Sequence, residues 1–125
     1  MTKIPAPAQP PGPARPGTSA RLVQFTDTHL MRDPAGSIRG ARTMPRLQAC
    51  LAHARQHYFP VDAILLTGDV VHDEPEAYGA IDLLFGDLGA PVLVIPGNHD
   101  IPDEMRRQLG HAPFQVGGQW RTRNG

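Results

Sequence analysis

The chain has 125 residues, enough for one small domain or for part of a larger one. Twelve Lys and Arg balance twelve Asp and Glu, which removes any electrostatic argument for a nucleic-acid or membrane-surface partner. A single cysteine, Cys50, excludes an internal disulfide and suits a reducing compartment, so a cytoplasmic location is expected.

Pro5, Pro7, Pro10, Pro11, Pro13 and Pro16 crowd a segment with few apolar side chains. Proline removes backbone donors, and so little apolar surface cannot offset the entropy of ordering, so residues 1–20 read as a disordered tail. No apolar run follows Lys3, which argues against a signal peptide, and no stretch is apolar enough to span a bilayer. Residues 21–125 are then the ordered part.

Three apolar runs follow, at residues 22–25, 63–66 and 92–95. Their near-continuous hydrophobicity predicts strands covered on both faces. Between the first two, Leu47, Cys50, Leu51, Ala54 and Tyr58 repeat at helical spacing, with Thr43 as cap and Pro45 in the first turn. Between the second and third, Ala77, Ile81, Leu84, Phe85 and Leu88 repeat likewise, with Asp73 and Glu76 spaced as a capping box. The order β-α-β-α-β implies parallel strands joined by right-handed crossovers. A third helix is expected from near Asp100, with Pro102 in its first turn, and residues 114–116 can begin another strand. There is no internal repeat.

In a parallel sheet the carboxyl ends of the strands share one edge, where ligands bind. Each apolar run here ends in a polar cluster: Asp27-Thr28-His29, Gly68-Asp69, and Gly97-Asn98-His99-Asp100. Carboxylate, imidazole and amide oxygen together suit Mn²⁺, Fe or Zn²⁺ better than Ca²⁺ or a thiolate-bound structural zinc. Asp27 and His29 can aim at one ion, Asp69 can bridge two, and Asn98 offers a neutral oxygen ligand. Two such ions share a water and lower its pKa, so that a bridging hydroxide attacks phosphorus while a neighbouring imidazole protonates the leaving oxygen. His99 is placed for that role.

The three blocks, in this order and each after an apolar run, resemble those of the calcineurin-like metallophosphoesterases, over residues 21–110. The resemblance implies that Asp27 and His29 hold the first metal, Asp69 bridges, and Asn98 holds the second metal. It also implies that His99 is the acid or phosphate contact, oriented by Asp100. The implied fold is the N-terminal half of a four-layer αββα sandwich, and the implied cofactors are two divalent ions, Mn²⁺ and/or Fe, with Zn²⁺ as the alternative. The run from Gln24 to Leu30, the short loop to Gly40 and the Gly89-Ala90-Pro91-Val92 segment are similar to the bacterial cyclic-nucleotide phosphodiesterases. That subgroup often has Gly-x-Asn-Thr where this chain has Gly40-Ala41-Arg42-Thr43. The implied substrate is a small phosphodiester such as cAMP.

The family completes its site with a later histidine and a Gly-His-x-His block, and after His99 this sequence offers only His111. The expectation is therefore a fragment that is inactive alone, and the competing reading is a catalytically dead remnant acting as an interaction module. Oligomeric state is left open. A nucleotide-binding domain without catalysis ranks last, since the first strand lacks a Gly-x-Gly-x-x-Gly turn.

Other polar residues have plainer readings. Arg42 either meets a phosphate or faces water. His53 and His57, spaced i, i+4, read as a solvated helix face rather than a metal clip. His72 reads as a loop residue, with substrate contact as the alternative. Cys50 reads as a small buried hydrophobe, and Arg106 with Arg107 as a solvated helix end.

Overall fold

The computed structural model describes residues 19–121. The tail predicted over residues 1–20 thus lies outside the described residues, apart from Ser19 and Ala20. The elements in chain order are β1 (Leu22–Phe25), β2 (Ser37–Ile38), β3 (Ala41–Arg42), α1 (Thr43–His57) and β4 (Ala63–Thr67). A single 3₁₀ turn at Pro75–Ala77 leads into α2 (Tyr78–Phe85), followed by β5 (Val92–Ile95), α3 (Pro102–Leu109) and β6 (Phe114–Val116). Four strands form one parallel sheet in the order β1-β4-β5-β6, while β2 and β3 make a separate antiparallel hairpin.

The parallel register places Val23, Ile64 and Val92 side by side, and Phe25, Leu66 and Val94 one step further along. Side chains alternate across a strand, so these six share a face. That face packs on Tyr78, Ile81 and Phe85 of α2 and on Met105 and Leu109 of α3, all buried. The Phe25 and Phe85 rings meet edge-on at 5.3 Å. Leu47 and Leu51 of α1 join the same core.

The opposite face is the one that the second sheet of a four-layer sandwich would cover. Gln24, Leu65 and Leu93 share that face in register, next to Leu22 and Ile95, which are each about half exposed. Among the described residues nothing covers this face fully, so the continuous hydrophobicity of β4 and β5 is only half used.

Three capping and burial expectations are corrected. Thr43 is the first helical residue, and extended Arg42 takes the cap position with no side-chain bond. Asp73 and Glu76 form no capping box, because both side chains have other partners: Asp73 faces His99 and Glu76 pairs with Arg32. Cys50 is exposed rather than buried, since the inward stripe of α1 is Leu47, Leu51 and Ala54. His53 and His57 are exposed, with their rings 4.3 Å apart. Arg106 and Arg107 pair with Asp103 and Glu104 on the exposed face of α3. No helix among the described residues is long and apolar enough to cross a membrane.

Past α3, the Nδ1 of His111 lies 3.0 Å from the Ala112 carbonyl and its Nε2 lies 3.3 Å from an Asp82 carboxylate oxygen. The bond to the carbonyl, aided by Asp82, raises the His111 pKa above its ordinary 6.5. A raised folded-state value means stability that is fully present below pH 6.5 and lost as pH rises through the folded value. His111→Gln is therefore expected to flatten part of the decline in melting temperature above that pH. Melts of both chains across pH 5.5 to 8.5 check this, and parallel curves would contradict it.

Candidate metal centre

The site is built where the β1–β4 pairing runs on beyond the regular strands. Asp27 N–H donates to the Gly68 carbonyl at 3.0 Å, His29 N–H to Asp69 at 2.9 Å and Leu30 N–H to Val70 at 3.0 Å. The Thr28 hydroxyl donates to the Val70 carbonyl at 2.8 Å. Two loops that would otherwise be free are thereby zipped together backbone to backbone.

Asp27, His29 and Asp69 all have left-handed backbones, with φ of 57°, 47° and 47°. Such conformations cost roughly 1–3 kcal/mol each outside glycine, and they persist where surrounding bonds over-determine them. Here the effect is to turn three side chains out of the strand alternation toward one point. Gly97 explains how the third strand end comes so close: a Cβ there would lie 2.5 Å from both the Asp69 nitrogen and its Oδ1. Only a glycine admits that approach.

Asp27, His29 and Asp69 each present a donor atom within 4.8 Å of the others. The Nε2 of His29 stands 3.6 Å from Asp27 Oδ1 and 3.9 Å from Asp69 Oδ2. His99 N–H donates to Asp69 Oδ1 at 2.8 Å. That bond holds the Asp69 carboxyl below its ordinary range, against the opposing pull of burial, with His29 adding to the effect. An ionised carboxylate, a second exposed carboxylate and an imidazole nitrogen facing both make a donor set that fits a divalent cation.

Asn98 lies exposed in the turn between Gly97 and Asp100, directly before the His99 amide that binds Asp69. Arg42 is exposed on β3 at the start of α1. One turn further along the helix, Arg46 lines a cavity of about 580 Å³ that also touches Asp27, His29 and Tyr58. Arg46 was invisible as a site residue in the sequence, although its i+4 spacing from Arg42 was available.

Asp100 does not orient His99. It is buried, and its carboxylate accepts from Val70 N–H, Val71 N–H, Gly97 N–H and the Tyr78 hydroxyl, at 3.2, 3.1, 2.8 and 2.8 Å. Burial pushes the Tyr78 phenol up, and Asp100 beside it adds to the shift, so the hydroxyl remains a donor. Asp100 thus ties the loop after β4 to the loop after β5. The partner of the His99 ring is Asp73, with Nδ1 to Oδ1 at 3.1 Å. His72 also enters the site, its Nδ1 lying 3.2 Å from His29 Nδ1 and its ring stacked on His99 at 4.4 Å.

A parallel α/β sheet with carboxylates and imidazoles gathered at the carboxyl ends of its strands defines a class of metal-binding α/β domain. The sequence model of the calcineurin-like phosphoesterases matches residues 20–124, and the chain belongs to that family. It is 36% identical over 94 residues to a probable cyclic nucleotide phosphodiesterase of Synechococcus sp., covering 74% of this chain and 36% of that protein. It is 34% identical over 107 residues to the 3',5'-cyclic adenosine monophosphate phosphodiesterase CpdA of Escherichia coli K12, covering 80% of this chain and 39% of that one. The corresponding protein of Haemophilus influenzae is 34% identical over 97 residues, 77% of this chain and 35% of its own length. The chain thus spans little more than a third of the length of these curated relatives.

Proposed function

We propose that these residues form part of the active site of a phosphoric diester hydrolase acting on 3',5'-cyclic nucleotides such as cAMP. The observation that carries the reading is the convergence of Asp27, His29 and Asp69 beside His99. The relatives' names support the substrate class. In this reading Asp27 and His29 would hold one cation, Asn98 would hold a second, and Asp69 would serve both. Divalent cations held there, Mn²⁺ and/or Fe or alternatively Zn²⁺, supply Lewis-acid polarisation of water and of the phosphoryl oxygens.

The chain's own residues do the rest. Asp69 keeps its charge because the His99 amide stabilises it. His99 has Nδ1 engaged by Asp73, which leaves Nε2 to pass a proton to the leaving oxygen. Arg46, on the cavity wall, and Arg42, on the neighbouring hairpin, are positive groups for a phosphate to meet.

The test uses a version of the chain that carries the full length of its relatives. Asp69→Ala is expected to remove most bound Mn²⁺. His99→Ala is expected to keep the metal and lose roughly 10²–10⁴-fold in kcat, as for a general acid. Metal content after dialysis, read with the rate of Mn²⁺-dependent cAMP hydrolysis, separates the roles. Metal lost from His99→Ala but kept in Asp69→Ala would reverse them.

A further inference from the structure

We infer that His72 is a positioning residue for the first metal ligand: it accepts the Nδ1 proton of His29 and so leaves His29 Nε2 bare to face the cation. The inference rests on the reading of Asp27, His29 and Asp69 as metal ligands. It goes beyond that reading by giving a role to a side chain outside the three motif blocks. Which nitrogen of an imidazole carries the proton is set by the bond that the other one makes. His29 turns Nε2 toward Asp27 Oδ1 and Asp69 Oδ2, at 3.6 and 3.9 Å, and turns Nδ1 toward His72 Nδ1, at 3.2 Å. That last contact holds one proton. With the proton on His29, Nε2 keeps its lone pair and His29 is a ligand. With it on His72, His29 would carry its own proton on Nε2, pointed at the place a cation would occupy.

Asp73 decides between the two. His72 Nε2 lies 3.9 Å from one Asp73 oxygen, and His99 Nδ1 lies 3.1 Å from the other. The first distance is too long for a hydrogen bond, but a carboxylate still favours an N–H turned toward it over a lone pair. Neutral His72 therefore carries its proton on Nε2 and keeps Nδ1 as an acceptor. Each of the three imidazoles thereby receives one tautomer. His99 holds its proton at Nδ1 for Asp73, His72 at Nε2 on the side of Asp73, and His29 at Nδ1 for His72.

The backbone keeps His72 in place for this. Leu30 and Val71 pair across the two loops, and beside that pair His72 N–H donates to the Leu30 carbonyl at 2.9 Å. The His72 ring also stacks on His99 at 4.4 Å and 22°, so it cannot swing freely away from His29. Both side chains of the contact are largely shielded, at 22% exposure for His29 and 28% for His72, which limits competition from water. His72 sits against the nitrogen of His29 that does not face Asp27 and Asp69. It therefore acts through His29 and is not itself a ligand of the same cation.

The experiment uses the version of the chain that carries the full length of its relatives, stripped of metal by a chelator and isotope-labelled at histidine. Proton–nitrogen NMR correlations through two bonds read which ring nitrogen bears the proton. His29 is expected to bear it on Nδ1. His72→Leu keeps apolar bulk against His99 but removes the acceptor. It should bring His29 to a mixture of tautomers and weaken Mn²⁺ binding by roughly 10–100-fold, the usual cost of losing such a partner. His72→Gln supplies an acceptor oxygen, so it should return the His29 tautomer and most of the affinity, which packing alone would not do. Circular-dichroism melts confirm that each variant is folded, and the wild-type spectrum tests the assignment without any variant. Three results would each overturn the proposal: His29 protonated on Nε2 in the wild type, equal Mn²⁺ affinity in wild type and His72→Leu, or His72→Gln no better than His72→Leu. The substrate reading fails separately, since no cAMP hydrolysis alongside the expected spectra and Mn²⁺ affinities would sink that reading and support this one.

Discussion

Asp100→Ala is expected to destabilise the chain by roughly 3–5 kcal/mol, although Asp100 touches neither the His99 ring nor the first metal cluster. Its carboxylate satisfies three backbone amides and the Tyr78 hydroxyl. A buried donor left without a partner costs about 1–3 kcal/mol. Four are orphaned here, and water entering the gap offsets part of the total. Asp100→Asn tests the same point without a cavity. Its amide can keep one acceptor oxygen but turns an NH₂ toward groups that are themselves donors, so it too should destabilise, by less. Among the described residues no buried side-chain polar atom lacks a partner, so the native network has no slack to absorb the loss. Chemical denaturation measures both variants. A residue that merely oriented His99 would instead leave the denaturation midpoint in place and change only the rate.

Asp100 also shows where sequence reasoning reached its limit. The strands at Leu22–Phe25 and Val92–Ile95 were legible to the residue, because short runs dominated by apolar side chains, one closed by Arg21 and Thr26 and the other by Pro91 and Pro96, admit little else. The strand at Phe114–Val116 and the helix opening at Pro102 were legible for similar reasons. The meeting of Asp27, His29 and Asp69 was legible as well, since parallel strands must bring their carboxyl ends to one edge. The partnerships of Asp73, Asp100 and His72 were not. Asp73 followed by Glu76 has a capping spacing in one dimension, and only the closeness of the loops after β4 and β5 redirects Asp73 to His99. That closeness depends on Gly97, whose missing side chain lets the third loop press against Asp69. A sequence displays the glycine but not what stands opposite it. The β2–β3 hairpin was missed because two-residue strands carry no periodicity to read.

Purified alone, the 125-residue chain is expected to self-associate and to be a poor hydrolase. Leu22, Leu65, Leu93 and Ile95 form an apolar band on the sheet face that α2 and α3 do not cover. Leu22 and Ile95 are 48% and 50% exposed. Contiguous exposed apolar surface of this kind drives association. The metal donors are also few: Asp27, His29 and Asp69 converge, and Asn98 is the one further ligand of the proposed reading. Three or four ligands, partly exposed, should hold Mn²⁺ weakly against the two-ion requirement of the proposed chemistry. Ile95→Lys and Leu93→Lys should raise the monomer fraction in analytical ultracentrifugation. Ile95→Lys should do so with little change in the melt, because half of that side chain already faces water. Hydrolysis of a phosphodiester by the short chain should fall far below that of a version carrying the relatives' full length. A monomeric short chain with a sharp melt and full Mn²⁺-dependent activity would mean that the apolar face is tolerated in water. It would also mean that further ligands come from His53, His57, His72 or His111; of these, His72 stands against His29 and His53 lines the cavity that Asp27 and His29 share.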